Sequence, residues 1–429
     1  MASDLLDKPG GPPCLQIPVG SACQNRCRFC IDGAHKGVSR PDDAAIRRML
    51  EQNRGLPEVL FSRFEPTLNR GLVRWAGWAR ELGYAKISLI SNGRRLRRPG
   101  FAARLAEAGI SSFVVSLHGH RPEVHDRLTS RPGSFAQTVA GLEALHRLRE
   151  QVDIELRIVT TACAWNVEHL GAIHEFVRRF APDGAGWNAL LLHGRALEHA
   201  DELAVEYPRL VERLRRCLEA YPEAPPGLTN VPLCFALHRI PPGLLPGEED
   251  TRMGEVDRDG GLVEASAAKI TRSHVYHPDC AGCVVRAACG GLSPHYVERF
   301  GWEGVTPISP EALTRAEQDG AKLVAPRPFV SADELRGLMS PPGQQWEILD
   351  LRVGPTDAFV HLRARRPDEL HVHLVLTPRS IGQPAYRRTR MFNVALWGRD
   401  HSRREEAMAA AITRWIQRGE RRESPPRVK

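Results

Sequence analysis

Short apolar segments alternate with amphipathic segments over the first half of the chain. The apolar segments have the length of strands, at residues 14–19, 58–61, 86–90, 112–117, 154–160 and 187–192. The segments between them repeat apolar residues with a helical period, as at 42–51, 72–82, 101–108, 135–148 and 167–180. Strands that alternate with helices are typical of βαβ units around a parallel sheet. The pattern therefore predicts an α/β fold over residues 1–221, a partial (β/α)6 barrel with its functional groups at the carboxyl ends of the strands.

The pattern changes after residue 221. Residues 222–303 begin as a connector rich in proline and glycine and contain a predicted hairpin at 252–264. Residues 304–327 have the composition of a linker, and residues 419–429 form a charged tail. Between these two, residues 328–418 show strand patterns at 347–353, 358–364, 371–377 and 391–397, then a helical pattern at 403–417. We predict a small antiparallel α+β domain over residues 328–418.

The composition is that of an ordinary globular chain. Of the 429 residues, 42% are hydrophobic, and no run of about 18 apolar residues could span a bilayer. The first residues lack the basic start and apolar run of a signal peptide. We therefore expect a cytoplasmic protein with no membrane partner.

The positive charge is concentrated towards the end of the chain. The formal net charge is +8, and residues 325–429 contain 19 Lys and Arg against 12 Asp and Glu, an excess of seven. A basic domain is typical of a nucleic-acid or acidic-peptide partner, and equally of an arginine-rich surface without a partner. Because the stacking aromatics of an RNA-binding fold do not accompany the charge, a nucleic-acid partner is disfavoured.

Ten cysteines are present, and six of them fall into two tight groups. In a reducing compartment, grouped cysteines bind metal more often than they form disulfides. The first group is Cys23, Cys27 and Cys30, and the second is Cys280, Cys283 and Cys289. The scattered Cys14, Cys163 and Cys217 fit the pattern of small buried apolar residues.

The first group has the spacing C-x3-C-x2-C on a loop directly after a predicted strand, with Phe29 before the last cysteine. Three thiolates on one loop can hold three irons of a cubane and leave the fourth iron open. A structural zinc site normally takes four protein ligands, and this loop offers three. An iron–sulfur cluster is therefore the favoured interpretation.

These cysteines resemble the signature of the radical S-adenosylmethionine (SAM) superfamily, whose fold is a partial TIM-like barrel, and the resemblance covers roughly residues 14–300. It implies a [4Fe–4S] cluster on Cys23, Cys27 and Cys30, with S-adenosylmethionine on the open iron. It also implies reductive cleavage of that cofactor to a 5′-deoxyadenosyl radical. The electron would come from an external one-electron donor of flavodoxin or ferredoxin type.

Further motifs fall where this family places its cofactor contacts. The segment Phe-Ser-Arg-Phe-Glu-Pro-Thr-Leu at 61–68 is similar to the family's Gly-Gly-Glu-Pro-Thr-Leu, which implies that Glu65 and Pro66 form the place where the cofactor's amino group is received. Arg63 and Phe64 stand in place of the two glycines, and a backbone that needs glycine conformations resists such residues.

The resemblance extends to the ends of later strands. Asn92, in Ser-Asn-Gly, and Ser116, at the end of the fourth strand, are implied to line the cofactor's ribose and methionine. Arg157 on the fifth strand presents a planar fork that suits the cofactor carboxylate, and a surface ion pair is the alternative. For His118 and His125, a place in the site and a place in the core or at a helix cap both stay open.

The second cysteine group, C-x2-C-x5-C, resembles the auxiliary iron–sulfur modules called SPASM or, when shortened, twitch. The resemblance implies a second [4Fe–4S] cluster on Cys280, Cys283 and Cys289, with Cys234 as the fourth ligand. Zinc is the alternative, with His277 or His295 completing the set.

Three functions are open at this point. The first is hydrogen abstraction from a peptide or protein side chain, as in peptide maturases, which the cysteine module and the added C-terminal domain favour. The second is radical chemistry on a small molecule or nucleotide. The third, of a different class, is an RNA-binding or redox-sensing iron–sulfur protein, which would give the Glu-Pro-Thr and Ser-Asn-Gly motifs no role.

Overall fold

The computed structural model describes residues 14–19, 22–34, 42–240, 253–256, 262–264, 273–286, 289–319, 346–353, 358–364, 371–378 and 392–396. The chain divides into two compact units. The described residues up to Asp319 belong to the first unit, and the strands from Trp346 to Leu396 belong to the second. The predicted division of residues 222–327 into a connector, a cysteine module and a linker stays a prediction.

The first unit is built on a curled parallel sheet, in which strands that are consecutive in the chain lie side by side. Its parallel strands are β1 (Cys14–Pro18), β2 (Glu58–Ser62), β3 (Lys86–Ser91), β4 (Ser112–Ser116), β5 (Glu155–Ala162), β6 (Gly184–Ala189) and β7 (Gly227–Thr229). A hairpin of β8 (Met253–Val256) and β9 (Leu262–Glu264) extends the sheet beyond β1, with β8 parallel to β1. The sheet is thus the half-barrel that the sequence predicts.

Helices connect the parallel strands. They are α1 (Asp43–Gln52), α2 (Leu72–Glu81), α3 (Phe101–Glu107), α4 (Pro122–Thr129), α5 (Ser134–Leu148), α6 (Leu170–Arg178), α7 (Arg195–Glu198), α8 (Ala200–Leu203), α9 (Tyr207–Ala220) and α10 (Leu233–Leu237). Two more, α11 (Pro294–Phe300) and α12 (Pro310–Gln318), follow the second cysteine group. None of the helices in the described ranges is long and apolar enough to cross a membrane.

The burial of β5 shows how the sequence pattern specifies the sheet. Every second residue from Leu156 to Ala162 is buried, and the residues between them are half-buried. Because side chains of a strand alternate between its two faces, the sheet has one covered face and one partly open face. The open face is the inner wall of the half-barrel and is available to line a site.

Helix α9 joins the barrel to the region of the second cysteine group. Its apolar face is buried along Leu210, Val211 and Leu214. At its start, the ring of Tyr207 stacks on Tyr296 of α11, with the ring centroids 4.4 Å apart. The Tyr296 hydroxyl accepts a hydrogen bond of 3.0 Å from the Tyr207 backbone N–H. This contact fixes the second cysteine region to the carboxyl-end side of β6, which α9 follows.

The second unit contains an antiparallel sheet in the order β10 (Trp346–Val353), β11 (Ala358–Ala364), β12 (His371–Pro378) and β13 (Phe392–Leu396). These strands agree with the predicted ones to within one residue at each end. A register shift between Ile348 and Asp350 interrupts the pairing of β10 with β11. The predicted helix at 403–417 lies outside the described residues.

Two predictions about the barrel differ from the structure. Strand β6 begins at Gly184, three residues before the predicted start, because Gly184 and Gly186 lack the apolar side chains on which the prediction relied. The short strand β7 lies inside the segment interpreted as a connector, where proline and glycine obscured it. Within the described residues, the series from β1 to β7 therefore has one more strand than the six predicted.

Candidate functional site

The cysteine loop, residues 22–34, follows β1 and is held by backbone hydrogen bonds to two other parts of the barrel. The N–H of Arg26 donates to the Thr129 carbonyl at the end of α4, at 2.9 Å. The N–H of Arg195, at the start of α7, donates to the Cys30 carbonyl at 3.1 Å. Both partners lie just beyond the carboxyl ends of strands, so the loop spans that end of the half-barrel.

The three thiols of this loop lie close enough to act on one another electrostatically. Burial raises the pKa of Cys27, and the neighbouring Cys23 and Cys30 thiols raise it further. Burial, together with Glu65 and Cys30, raises the pKa of Cys23 to about 11. Within the described part of the chain, no group of three or more His, Cys, Asp or Glu side chains converges tightly enough for a single metal ion. A cubane does not require such convergence, because each thiolate binds a different iron, and the three-thiol donor set fits it.

The turn after β2 keeps the backbone shape of a glycine pair although it contains none. Arg63 has a φ of 72° and Phe64 a φ of 51°, both in the left-handed region. The Arg63 guanidinium forms an ion pair with Asp32, and the Phe64 N–H points at the other oxygen of the same carboxylate, 3.5 Å away. Asp32 is buried and lies two residues after Cys30. Arg63 and Phe64 thus connect this turn to the cysteine loop through Asp32.

We expect Arg63→Gly to destabilise the protein, although it restores the glycine. Relief of a left-handed residue gains about 1 kcal/mol, whereas breaking a buried ion pair costs about 3 kcal/mol or more. The free energy of unfolding in urea should therefore fall by about 2 kcal/mol. In a double-mutant cycle with Asp32→Ala, the two losses should be strongly non-additive. A gain in stability, or simple additivity, would show that strain and not the ion pair dominates at this turn.

Glu65 joins the ends of β2 and β3. Its Oε1 accepts hydrogen bonds from the Thr67 N–H at 3.1 Å, the Thr67 hydroxyl and the Ser91 hydroxyl at 2.8 Å. Its Oε2 accepts from the Asn92 N–H at 2.8 Å. Burial raises the pKa of Glu65, and these donors oppose the rise. Pro66 begins the buried turn that presents Thr67. The carboxylate therefore positions Asn92, in addition to any cofactor contact.

Asn92 links this network to the cysteine loop. Its Nδ2 lies 3.8 Å from the Cys23 sulfur, and its Oδ1 accepts a hydrogen bond from Gln24 Nε2 at 3.1 Å. Arg94, which the sequence prediction missed, donates to the Gln24 carbonyl at 3.1 Å and to Asn25 Oδ1 at 2.7 Å. In the sequence, Arg94 belongs to a run of arginines that resembles a solvated surface, so no motif distinguishes it.

The histidines after β4 are buried and neutral. Burial lowers the pKa of His118 well below its usual value and that of His125 to about 3. The Nδ1 of His118 accepts from the Thr161 N–H, and the Nδ1 of His125 accepts from the His118 N–H, each at 3.1 Å. Phe29 of the cysteine loop packs edge-on against His118, with ring centroids 4.6 Å apart. Of the two interpretations, the structure supports a core role that seats the cysteine loop.

Ser116 and Asn166 frame the same end of the barrel. Ser116 is the last residue of β4, half-buried, and is in register with Val159 of β5. The Asn166 side chain accepts from the Cys163 N–H at 2.9 Å and donates to the His118 carbonyl at 3.1 Å. Asn166 thus holds the β4 and β5 ends together.

Comparison with known proteins agrees with this arrangement. Residues 17–161 match the family model described as the Radical SAM superfamily. Over this region, the chain is similar to the radical SAM superfamily. The matched residues contain the cysteine loop, Glu65, Asn92 and Ser116.

Curated relatives and one solved structure are similar to parts of this chain. The AdoMet-dependent heme synthase of Oleidesulfovibrio alaskensis is 27% identical over 197 residues, 44% of this chain and 49% of that protein. A probable GTP 3′,8-cyclase of Saccharolobus islandicus is 28% identical over 144 residues, 33% of this chain and 46% of that protein. The chain thus spans about half the length of these relatives. Streptococcus suis SuiB, solved with S-adenosylmethionine bound, shares the fold, with a TM-score of 0.51 and 15% identity over 67% of this chain and 74% of SuiB.

Arg157 lies away from this end of the half-barrel. It is the third residue of β5, in register with Val114 and Gly184. Its Nε donates to Glu155 Oε1 at 2.6 Å, and Lys86 Nζ lies 2.7 Å from the other Glu155 oxygen. These charges form an ion cluster near the amino-terminal end of the strands. The predicted contact of Arg157 with a cofactor carboxylate stays a prediction.

The second cysteine group gathers around α10. Cys280 lies in the short turn Pro278–Gly282, and Cys283 follows it. Burial raises the pKa of Cys234 to about 11, and the Cys289, Cys280 and Cys283 thiols raise it as well. Cys234 therefore lies near enough to the other three cysteines for their charges to act on it, and its part in a shared cluster stays a prediction. Cys283 Sγ accepts a hydrogen bond from the Ile308 N–H at 3.3 Å.

The two histidines considered for zinc make other contacts. His277 Nδ1 accepts a hydrogen bond from the Asp279 N–H at 3.3 Å, as a helix cap does. The His295 side chain is half-exposed, and its Nδ1 lies 3.9 Å from Glu298. The all-cysteine set and the zinc set completed by a histidine both stay predictions.

Proposed function

We propose that this protein is a radical SAM enzyme that reductively cleaves S-adenosylmethionine to a 5′-deoxyadenosyl radical and abstracts hydrogen from a substrate. The observation that carries the proposal is the three-thiol cysteine loop fastened to the Glu65–Asn92 network at the carboxyl ends of β1, β2 and β3. When bound, the cluster supplies the electron that breaks the carbon–sulfur bond of the cofactor.

Each of the chain's own residues has a defined part in this proposal. Cys23, Cys27 and Cys30 hold the cluster. The backbone at Arg63 and Phe64, with Glu65 and Pro66, receives the cofactor's amino group, since the turn keeps its left-handed shape. Asn92 and Ser116 line the cofactor from β3 and β4. The direct test is formation of 5′-deoxyadenosine by anaerobically reconstituted protein with dithionite, and its absence would refute the proposal.

For the substrate, we propose a peptide or protein side chain. Two features support this class: the added cysteine group beside the barrel and the separate second unit, a surface for substrate docking. A small molecule or nucleotide is the second candidate, because the curated relatives are named as a heme synthase and a GTP cyclase. Deuterium transferred from a labelled substrate into 5′-deoxyadenosine identifies the class directly. Transfer from a labelled nucleotide or porphyrin, and not from a labelled peptide, would favour the second candidate.

We also propose an auxiliary [4Fe–4S] cluster on Cys234, Cys280, Cys283 and Cys289. Reconstituted protein should then hold about eight irons per chain, as two cubanes require. The double variant Cys234→Ala, Cys280→Ala should hold about four and should retain cofactor cleavage without substrate. Cys217→Ala, at a buried cysteine outside both groups, is the matched control and should keep all the iron. About four irons and one zinc in the native protein would instead assign the second group to zinc.

A further inference from the structure

A dense group of arginines surrounds the outer side of the cysteine loop. We call it the arginine face: Arg26, Arg28, Arg94, Arg97, Arg127 and Arg131. Arg26, Arg97 and Arg127 are exposed, and the others are partly buried. These arginines lie on three separate elements: the cysteine loop, the segment after β3, and the end of α4 with the residues that follow it.

Contacts in the structure show that these elements meet. Arg94 binds the cysteine loop at Asn25, and its pKa is lowered by burial and by the positive charges of Arg131 and Arg97. Arg127 and Arg28 both lie over the ring of Trp165, with their guanidinium carbons 3.8 Å and 5.2 Å from its centroid. The arginines thus form one continuous surface around the loop.

The nearby carboxylates are fewer, and most are already engaged. Asp126 accepts hydrogen bonds from the backbone N–H groups of Gly133 and Phe135, each at 2.7 Å, and so caps α5. Glu202 pairs with Arg28 at 3.2 Å. Glu123 lies 3.9 Å from Arg121 and lines the same surface depression as Arg28, Arg127 and Arg131, so the six arginines face three carboxylates. The arginine face therefore carries excess positive charge.

We infer that the arginine face docks an acidic one-electron donor protein of flavodoxin type. This inference rests on the proposed function, which needs one electron per cleavage. In the proposed function, the cofactor and the substrate occupy the inner side of the cysteine loop. The electron must therefore reach the loop from its outer side. Arg26 and Arg28 flank Cys27 directly in the chain, so a partner on this face approaches the thiols closely. In the transfer, the reduced flavin would lose one electron and the iron–sulfur cluster that the cysteine loop would hold would gain it, and no bond is formed or broken.

The test compares two reductants on the same protein. Dithionite is small and needs no docking surface, whereas a purified flavodoxin with its reductase and NADPH does. In the double variant Arg97→Glu, Arg127→Glu, flavodoxin-driven formation of 5′-deoxyadenosine should fall at least about tenfold, because like charge replaces complementary charge. Dithionite-driven formation should stay within about twofold of the native rate, since neither arginine contacts a thiol.

Two further measurements complete the test: the salt dependence of both reactions, and a control variant with the same number of reversed charges. Raising the salt concentration should slow the flavodoxin-driven reaction of the native protein far more than the dithionite-driven one. Arg48→Glu with Arg54→Glu makes the same change in net charge near α1, and should leave both reactions unchanged. These two arginines are exposed and lie outside the arginine face.

Three outcomes would overturn the inference. Unchanged flavodoxin-driven cleavage in the Arg97, Arg127 variant would place the donor elsewhere. An equal fall with both reductants would assign the arginines to the cofactor site. Intact cleavage with flavodoxin but lost substrate turnover would assign them to substrate. If the native protein cleaves nothing with dithionite, the proposed function itself fails, and that result is distinct from all three.

Discussion

Replacing Cys23, Cys27 and Cys30 together by alanine is expected to abolish formation of 5′-deoxyadenosine while the barrel stays folded. Thiolates are the ligands that hold iron in such clusters, and alanine supplies none. The loop itself is held by backbone hydrogen bonds to Thr129 and Arg195, which do not involve the sulfur atoms. Cleavage with dithionite measures the loss of activity, and iron content measures the loss of the cluster. Far-ultraviolet circular dichroism measures whether the barrel stays folded.

Cys217→Ala provides the control for loss of a cysteine as such, since Cys217 is buried in α9. It should leave cleavage and iron content unchanged. Residual cleavage by the triple variant at the native rate would remove the cysteine loop from the mechanism. Loss of the circular dichroism spectrum would show that the loop is needed for folding.

The second large effect is expected at Glu65. Glu65→Ala leaves the Ser91 hydroxyl, the Asn92 N–H and both Thr67 donors without their acceptor in a buried place. The free energy of unfolding in urea should fall by about 3 kcal/mol, because unsatisfied buried donors are costly. Asn92 should also lose its position beside Cys23, so the Michaelis constant for S-adenosylmethionine should rise.

Glu65→Gln separates the effect of losing the side chain's shape and hydrogen bonds from the effect of losing its negative charge. The amide keeps the shape and one acceptor oxygen, but its NH2 group meets the donating Asn92 N–H. We expect an intermediate loss of stability and partial cofactor binding. If Glu65→Ala is as stable as the native protein, the hydrogen bonds of Glu65 contribute little to the free energy of unfolding. If its stability falls but the Michaelis constant does not move, Glu65 does not position the cofactor through Asn92.

Much of the fold could be predicted because the strands of the barrel are short, apolar and separated by clearly periodic helices. The prediction failed where the signal itself is missing. Gly184 and Gly186 contribute backbone but no side chain to β6, so the apolar pattern starts late. Strand β7 needs only three residues, and its pairing with β6 depends on a neighbour that local sequence cannot show.

The candidate site was predictable where chemistry demands a residue type at a fixed spacing, as in the cysteine loop. It was not predictable where the role of a residue depends on which distant residue it contacts in the fold. Arg63 could not be interpreted without Asp32, which is 31 residues away, and Arg94 could not be interpreted without Asn25. Arg157 shows that residue type and strand alone do not give position along the strand, since it pairs with Glu155 near the amino-terminal end of β5.

The pairing of β8 with β1 affects how the protein forms during synthesis. Strand β1, which leads into the cysteine loop, lies between β2 and β8 in the finished sheet. Until the ribosome has made residues 253–256, β1 is an unprotected edge strand, open to pairing with other chains. A nascent chain shorter than this exposes that edge at Cys14, Leu15 and Gln16, the residues that later pair with β8. Pairing of β1 on both of its sides therefore waits for more than half of the protein to be translated.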